Sequence, residues 1–356
     1  ILLAEDAGVP MALKLCHLAR GYREDLRTVI CGPGIYWTSE GDQGLAPHMT
    51  LHPETATPLP YLEDVDVFLR GEVEQTLPQL LRYLAADGNL MEIPGALLWR
   101  SKRWINTGDP IPVAELDLLP LPDFSDLDLS LYASRTLPME ASRGCQRNCV
   151  TCSRCSRSRP HRVRDAWRVV EEVEFQMGRV GPEALEFTDL ALNGDAKHLH
   201  LLCHGLMERG ISLPWRARLM VSPEVTGELL SLMVKAGCYE IQLGVDSLCE
   251  HVLQAMRKGF SLVQLEELLI RIRDAGLDSS LSLMVGFPRE TPELFDDTVN
   301  NLARLSSTIT RVDQVVTCEL TNGTRLWDDP AIFGIDATAP RYWESWVGPF
   351  GNTAEE

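Results

Sequence analysis

From Leu137 onward, six β-like runs alternate with five helical patterns, and this alternation constrains the fold more than any other feature of the chain. The runs are Leu137–Ser142, Ala184–Leu190, Leu213–Leu219, Tyr239–Ser247, Ser280–Phe287 and Val312–Leu320. Between them lie Ala166–Met177, Lys197–Glu208, Glu224–Lys235, Leu262–Asp274 and Pro292–Leu305, several followed by a glycine (Gly210, Gly237, Gly276) where a helix C-cap needs one. Repeated βα units imply parallel strands joined by crossover helices, hence an α/β fold and here a partial (β/α)6 barrel. In such barrels chemistry sits at the C-terminal ends of the strands.

A cysteine loop follows the first of these strands, as that rule requires. In Ser142-Arg143-Gly144-Cys145-Gln146-Arg147-Asn148-Cys149-Val150-Thr151-Cys152, three thiols fall within eight residues. Three thiolates can ligate three irons of a [4Fe-4S] cube and leave the fourth open, whereas electron-transfer clusters take four cysteines. Cys155 extends the set, so a four-sulfur zinc site is the other reading of the same residues.

The CxxxCxxC spacing resembles that of the radical S-adenosylmethionine (SAM) enzymes, whose core fold is an open (β/α)6 barrel. The resemblance implies that Cys145, Cys149 and Cys152 hold a [4Fe-4S] cluster and that the open iron chelates SAM. Thr151 departs from the pattern, since an aromatic usually precedes the third cysteine. The resemblance extends to the other strand ends. Thr188 and Asp189 stand where an acidic pair is usual, and Asp189 would lie near the SAM amino group. Arg216 and Arg218 share one strand face, and Arg218 would pair with the SAM carboxylate. Asp246 stands where the family has Glu in its "GxES" segment, and Gln242 and Ser247 are the preferred polar contacts there. Backbone near Gly286, in Gly286-Phe287-Pro288-Arg289-Glu290-Thr291, would meet adenine.

Residues 1–90 read as the later half of a doubly wound sheet. A helical stretch Pro10–Tyr22 leads into the strand-like run from Arg27 to Cys31, and a second unit runs through Val65–Leu69, Arg70-Gly71-Glu72 and Thr76–Leu84. Residues 91–136 form a connector with many prolines, 137–322 the barrel, and 323–356 a C-terminal segment. The order of VDVFLRGEVEQTL at Val65–Leu77, IPGALLW at Ile93–Trp99, LPLPDF at Leu119–Phe124 and then SRGC is similar to that of cobalamin-binding radical SAM proteins. This implies a Rossmann-like cobalamin-binding domain before the barrel, incomplete if the chain is a fragment, with Gly32, Gly34, Gly71 and Glu72 as candidate corrinoid contacts. The DxHxxG pattern of domains that place a histidine below the corrinoid does not occur.

The composition, 45% apolar with a net charge of −18, describes a globular chain and argues against nucleic acid as a partner. Seven arginines and His161 lie between Arg143 and Arg164 without one acidic residue, which reads as a solvated loop or a cationic rim for an anionic cluster, substrate or electron donor. No stretch has the length of a membrane span, and thiols clustered in one loop fit a reducing compartment, so a cytoplasmic location is expected. His198, His200 and His204 read as ordinary histidines on an exposed helix.

The function expected from these readings is a cobalamin-type radical SAM methyltransferase. One SAM would methylate the corrinoid and another would be cleaved to a 5′-deoxyadenosyl radical, so that a carbon or phosphorus of a small-molecule or peptide substrate is methylated. A flavodoxin or ferredoxin would donate the electron. The alternatives are a radical cyclase or rearrangement enzyme without methyl transfer, and a non-catalytic metal- or corrinoid-binding module. A methylthiotransferase is disfavoured because the N-terminal region lacks a second cysteine triplet.

Overall fold

The computed structural model describes residues 2–3, 9–32, 60–86, 88–100, 103–152, 160–320 and 324–336. They fall into two compact units divided between Ala114 and Glu115.

In the first unit, strands β1 (Leu2–Leu3), β2 (Val29–Gly32), β3 (Val67–Arg70), β4 (Ala96–Arg100) and β5 (Arg103–Asn106) form one sheet in that order. The pairs β1/β2 and β2/β3 are parallel, and β3/β4 and β4/β5 antiparallel. Every residue of β2 and β3 is buried, as strands covered on both faces require. Alternation explains how. Ile30 and Phe68 point to helix α1 (Val9–Tyr22), packing with Leu13 and Trp104, while Cys31 and Leu69 point to the opposite face, where Leu80 of α2 (Thr76–Ala85) meets them. The hairpin β4–β5 lies inside the stretch assigned from sequence to the connector, and its strands complete this sheet.

In the second unit, β6 (Thr136–Met139) leads into a two-stranded antiparallel ribbon of β7 (Ser142–Arg143) and β8 (Arg162–Val163). The strands β9 (Ala184–Phe187), β10 (Trp215–Leu219), β11 (Cys238–Asp246), β12 (Asp278–Val285) and β13 (Arg311–Thr317) then follow. With β6 they form a six-stranded sheet, every pair parallel, in chain order from β6 to β13. The helices between strands are α3 (Ala166–Arg179), α4 (Ala196–Glu208), α5 (Gly227–Lys235), α6 (Glu250–Ala255), α7 (Leu262–Asp274) and α8 (Pro292–Leu305), and α9 (Arg325–Asp328) follows β13. Strands laid down in one direction, without a reversal of order, put all crossover helices on one face, which makes an open barrel rather than a doubly wound sheet.

The core lies on the helix side, where Phe187, Trp215, Ala217, Leu219, Ile241 and Leu243 pack with Val170, Leu199, Leu229 and Leu268. Alternation turns Glu186, Arg216, Arg218 and Gln242 to the other face, the barrel interior, where Arg216 pairs with Glu186 at 2.7 Å. Helix starts are set by side-chain caps from Asp165, Asp195, Thr226, Ser261 and Thr291. Gly237 could not be another residue without strain. Its φ is +96°, and a Cβ there would stand 2.7 Å from the Leu213 carbonyl oxygen. Among the described residues, no helix is long and apolar enough to cross a membrane.

Candidate active site at the cysteine loop

The loop that follows β7 is tied to the ends of three other strands. Arg147 donates through Nη2 to the Val221 carbonyl at 2.7 Å, beyond β10, and through Nη1 to the Gly259 carbonyl, after α6. Gln146 donates to the Gly194 carbonyl at 2.8 Å, beyond β9. Val150, fully buried, donates from its N–H to the Met256 carbonyl and accepts from the Leu326 N–H, both at 3.0 Å. These bonds make the loop part of the barrel rim, so its cysteines are placed by the strand ends rather than by the loop alone.

Cys145, Cys149 and Cys152 line one cavity of about 290 Å3 together with Arg218, Met220, Asp246, Lys258, Phe260 and Met284. The Cys145 thiol lies 3.7 Å from Met220 Sδ, and Asn193 brackets Met220 by donating to its carbonyl at 2.9 Å and accepting from its N–H at 2.8 Å. Burial raises the proton affinity of Cys149, with Cys152, Asp246 and Cys145 acting in the same direction and Lys258 against. The three sulfurs thus share one electrostatic environment. Among the described residues, no three of Cys, His, Asp or Glu are grouped closely enough to hold a single metal ion. Three thiols lining one cavity are the donor set that three irons of a four-iron cube require. Cys155 lies outside the described residues.

The other expected contacts divide. Arg218 lines the cavity, exposed, on the interior face as expected. Gln242 is its register partner on β11 but is not among the cavity's lining residues. Asp189 is 2% exposed and accepts hydrogen bonds from the Ala141 N–H at 3.1 Å and the Ser142 hydroxyl at 2.5 Å, so it braces the start of the cysteine loop instead of facing the cavity. Burial pushes its carboxyl up to about 6, with these hydrogen bonds pulling the other way. Thr188 bonds back to the Met139 carbonyl. Ser247 is fully buried against Thr298 and accepts from the Cys249 N–H. Gly286 donates its N–H to Glu290 at 2.8 Å, while Met284, two residues earlier, reaches the cavity.

Lys258 and Met220 escaped the reading of the sequence. Neither stands in a motif whose chemistry a spacing announces. The basic run also differs from a solvated loop where it is described, since Arg143 pairs with Glu140 at 2.8 Å and Arg164 with the buried Glu172 at 2.6 Å. His200 and His204 are exposed as expected, but His198 is buried.

In the first unit, Gly32 ends β2, and Gly34 lies outside the described residues. Arg70, 7% exposed, donates to the Gly95 and Gly108 carbonyls and to Asn106. A Cβ at Gly71, φ +73°, would come within 2.7 Å of Pro110, and Glu72 accepts from the Val113 N–H at 2.8 Å. The Arg70-Gly71-Glu72 unit therefore fastens residues 95–113 to the sheet.

Residues 139–302 match the radical SAM superfamily. This segment is a radical SAM domain. Over 291 residues the chain is 27% identical to an uncharacterized methyltransferase of Pyrococcus horikoshii, covering 79% of this chain and 61% of that protein. Over 247 residues it is 25% identical to the anaerobic magnesium-protoporphyrin IX monomethyl ester cyclase of Cereibacter sphaeroides, covering 66% and 40%. Among solved structures, the radical SAM methyltransferase TsrM of Kitasatospora setae, with tryptophan substrate and a SAM analog bound, matches with a TM-score of 0.73 at 16% identity, covering 96% of this chain and 67% of that one. TsrM has also been solved with cobalamin and a [4Fe-4S] cluster bound. At this identity the likeness is one of fold. The chain spans 61% and 40% of the length of the two curated relatives.

Proposed function

We propose that the protein is a cobalamin-dependent radical SAM methyltransferase acting on a carbon or phosphorus of a small molecule or peptide. The observation that carries the reading is that Cys145, Cys149 and Cys152 line one cavity with Arg218, Asp246 and Lys258 at the C-terminal ends of the radical SAM domain's strands. These cysteines would hold the [4Fe-4S] cluster, and Arg218 would take the SAM carboxylate. A cluster of this kind, when bound, supplies the electron that breaks a carbon–sulfur bond of SAM. The protein's own part is placement and exclusion. Arg147 and Val150 fix the loop on the rim, Asn193 fixes Met220 against Cys145, and Phe260, Leu219 and Met284 give the cavity apolar walls that keep water from a reactive centre.

The case for cobalamin comes from the resemblance. Gly71 lies against Pro110, and Glu72 accepts from the Val113 N–H, so these two are held to residues 110–113. A flavodoxin- or ferredoxin-like donor is part of the same proposal.

Anaerobic reconstitution should give about four irons and four sulfides per chain, lost when Cys145, Cys149 or Cys152 is replaced by Ala and kept in Cys155→Ala. Hydroxocobalamin added to this protein should stay bound through gel filtration. Similarity to the protoporphyrin ester cyclase favours a second reading, radical cyclisation without methyl transfer. Products separate the two, because S-adenosylhomocysteine beside 5′-deoxyadenosine marks methyl transfer and 5′-deoxyadenosine alone marks the other. Zinc at one per chain with no iron would overturn both.

A further inference from the structure

Lys258 is a buried ammonium at the cysteine cavity with no role in the reading above. Its Nζ lies 2.6 Å from Asp246 Oδ2, and its side chain is 9% exposed. The backbone is bent to put it there. Among the described residues only three non-glycine positions have positive φ, and two of them, Asp246 at +68° and Arg257 at +54°, are the partner and the chain neighbour of Lys258; Gly259 on its other side is at +73°. Left-handed backbone at non-glycine residues is costly and persists where surrounding structure imposes it. The other cations of the cavity are arranged differently, since Arg147 is spent on the Val221 and Gly259 carbonyls and Arg218 is exposed.

We propose that Lys258 is a positioning residue for charge at the cysteine site, its ammonium oriented by Asp246 so that adding one electron to a cluster on Cys145, Cys149 and Cys152 is less costly. This rests on the reading that those cysteines hold a cluster. Three thiolates already make the site anionic, and reduction adds a further negative charge without making or breaking a bond. A fixed positive charge lining the same cavity as the three cysteines favours the reduced state, and Asp246 moderates that effect. One unit charge several ångströms away, at an effective dielectric near 20, changes the reduced-to-oxidised ratio by roughly tenfold or more.

The test compares wild type, Lys258→Met, Lys258→Arg and Asp246→Asn after anaerobic reconstitution, by iron content and by the cluster's reduced signal in electron paramagnetic resonance during titration with dithionite and mediators. At equal iron content, Lys258→Met should lower the reduced-to-oxidised ratio at fixed potential by about tenfold or more, Lys258→Arg should restore most of it, and Asp246→Asn should raise it. An unchanged ratio in Lys258→Met, or Lys258→Arg as impaired as Lys258→Met, overturns the inference. If Lys258→Met loses its iron, Asp246→Asn decides, because a raised ratio supports the inference and an unchanged or lowered one overturns it. Wild type that takes up no iron overturns the cluster reading and this inference with it, whereas wild type that holds iron with ratios unmoved by the variants sinks this inference alone.

Discussion

Asp189→Asn separates bracing of the cysteine loop from ligand contact. The Asp189 carboxyl is nearly inaccessible and burial holds it at about 6, against 3.8 for an ordinary aspartate. That gap, at roughly 1.4 kcal/mol for each tenfold in proton affinity, corresponds to about 3 kcal/mol of folding free energy. Because the folded state holds the proton more tightly than the unfolded chain, the contribution is complete below pH 3.8 and is lost as pH rises through about 6. About half of it, roughly 1.4 kcal/mol, falls between pH 5 and 7.5. Asn does not titrate and still accepts through Oδ1 from Ser142. Urea or thermal unfolding of wild type and variant at both pH values isolates the term, since every other group cancels in the difference. The variant should gain on the wild type by about 1–2 kcal/mol between pH 5 and 7.5, while SAM affinity at constant cluster content stays the same. Parallel stability profiles would refute the reasoning from burial, and a tenfold loss of SAM affinity would return Asp189 to the ligand.

Arg218→Ala should weaken SAM binding by roughly tenfold, the lower part of the range for a charge-assisted pair because Arg218 is exposed, without altering iron content; calorimetric titration with unchanged affinity would take Arg218 out of SAM binding. Arg164→Met leaves the Glu172 carboxylate, 2% exposed, without its partner, and should cost about 3–5 kcal/mol, much of it recovered in the Arg164→Met, Glu172→Met double variant; denaturation midpoints of the cycle measure this. Gly237→Ala, with its Cβ forced against the Leu213 carbonyl, should destabilise by about 2 kcal/mol or more, seen as a lowered melting temperature.

The corrinoid proposed for the first unit would need polar groups there that are not already engaged. Arg70, Gly71 and Glu72 form a compact motif in the sequence, but what they touch is fixed by residues 95–113, which fold back as a hairpin and its extension. That return was hidden in a segment whose prolines read as a spacer, because strand pairing is a property of partners distant in the chain.

The sequence by itself determined the order of elements in the barrel and marked Cys145, Cys149 and Cys152 as the candidate cluster ligands. Hydrophobic periodicity and capping residues are local, so Leu262–Asp274 and Pro292–Leu305 were found with their observed limits, and the spacing of Cys145, Cys149 and Cys152 carries its chemistry within eight residues. It also put Arg216 and Arg218 on one face of β10, since alternation along a strand needs no partner. Only the tertiary structure decided which polar groups at the strand ends look into the cavity. Asp189 and Ser247 end strands where a contact was expected, yet a shift of one residue along a strand reverses the direction of a side chain, and hydrogen bonds to Ala141, Ser142 and Thr298 claim them. Lys258 shows the converse. Nothing local marks it, and it becomes part of the site because left-handed backbone at Arg257 and Gly259 accompanies its turn inward to Asp246, a conformation whose local cost only long-range packing can offset.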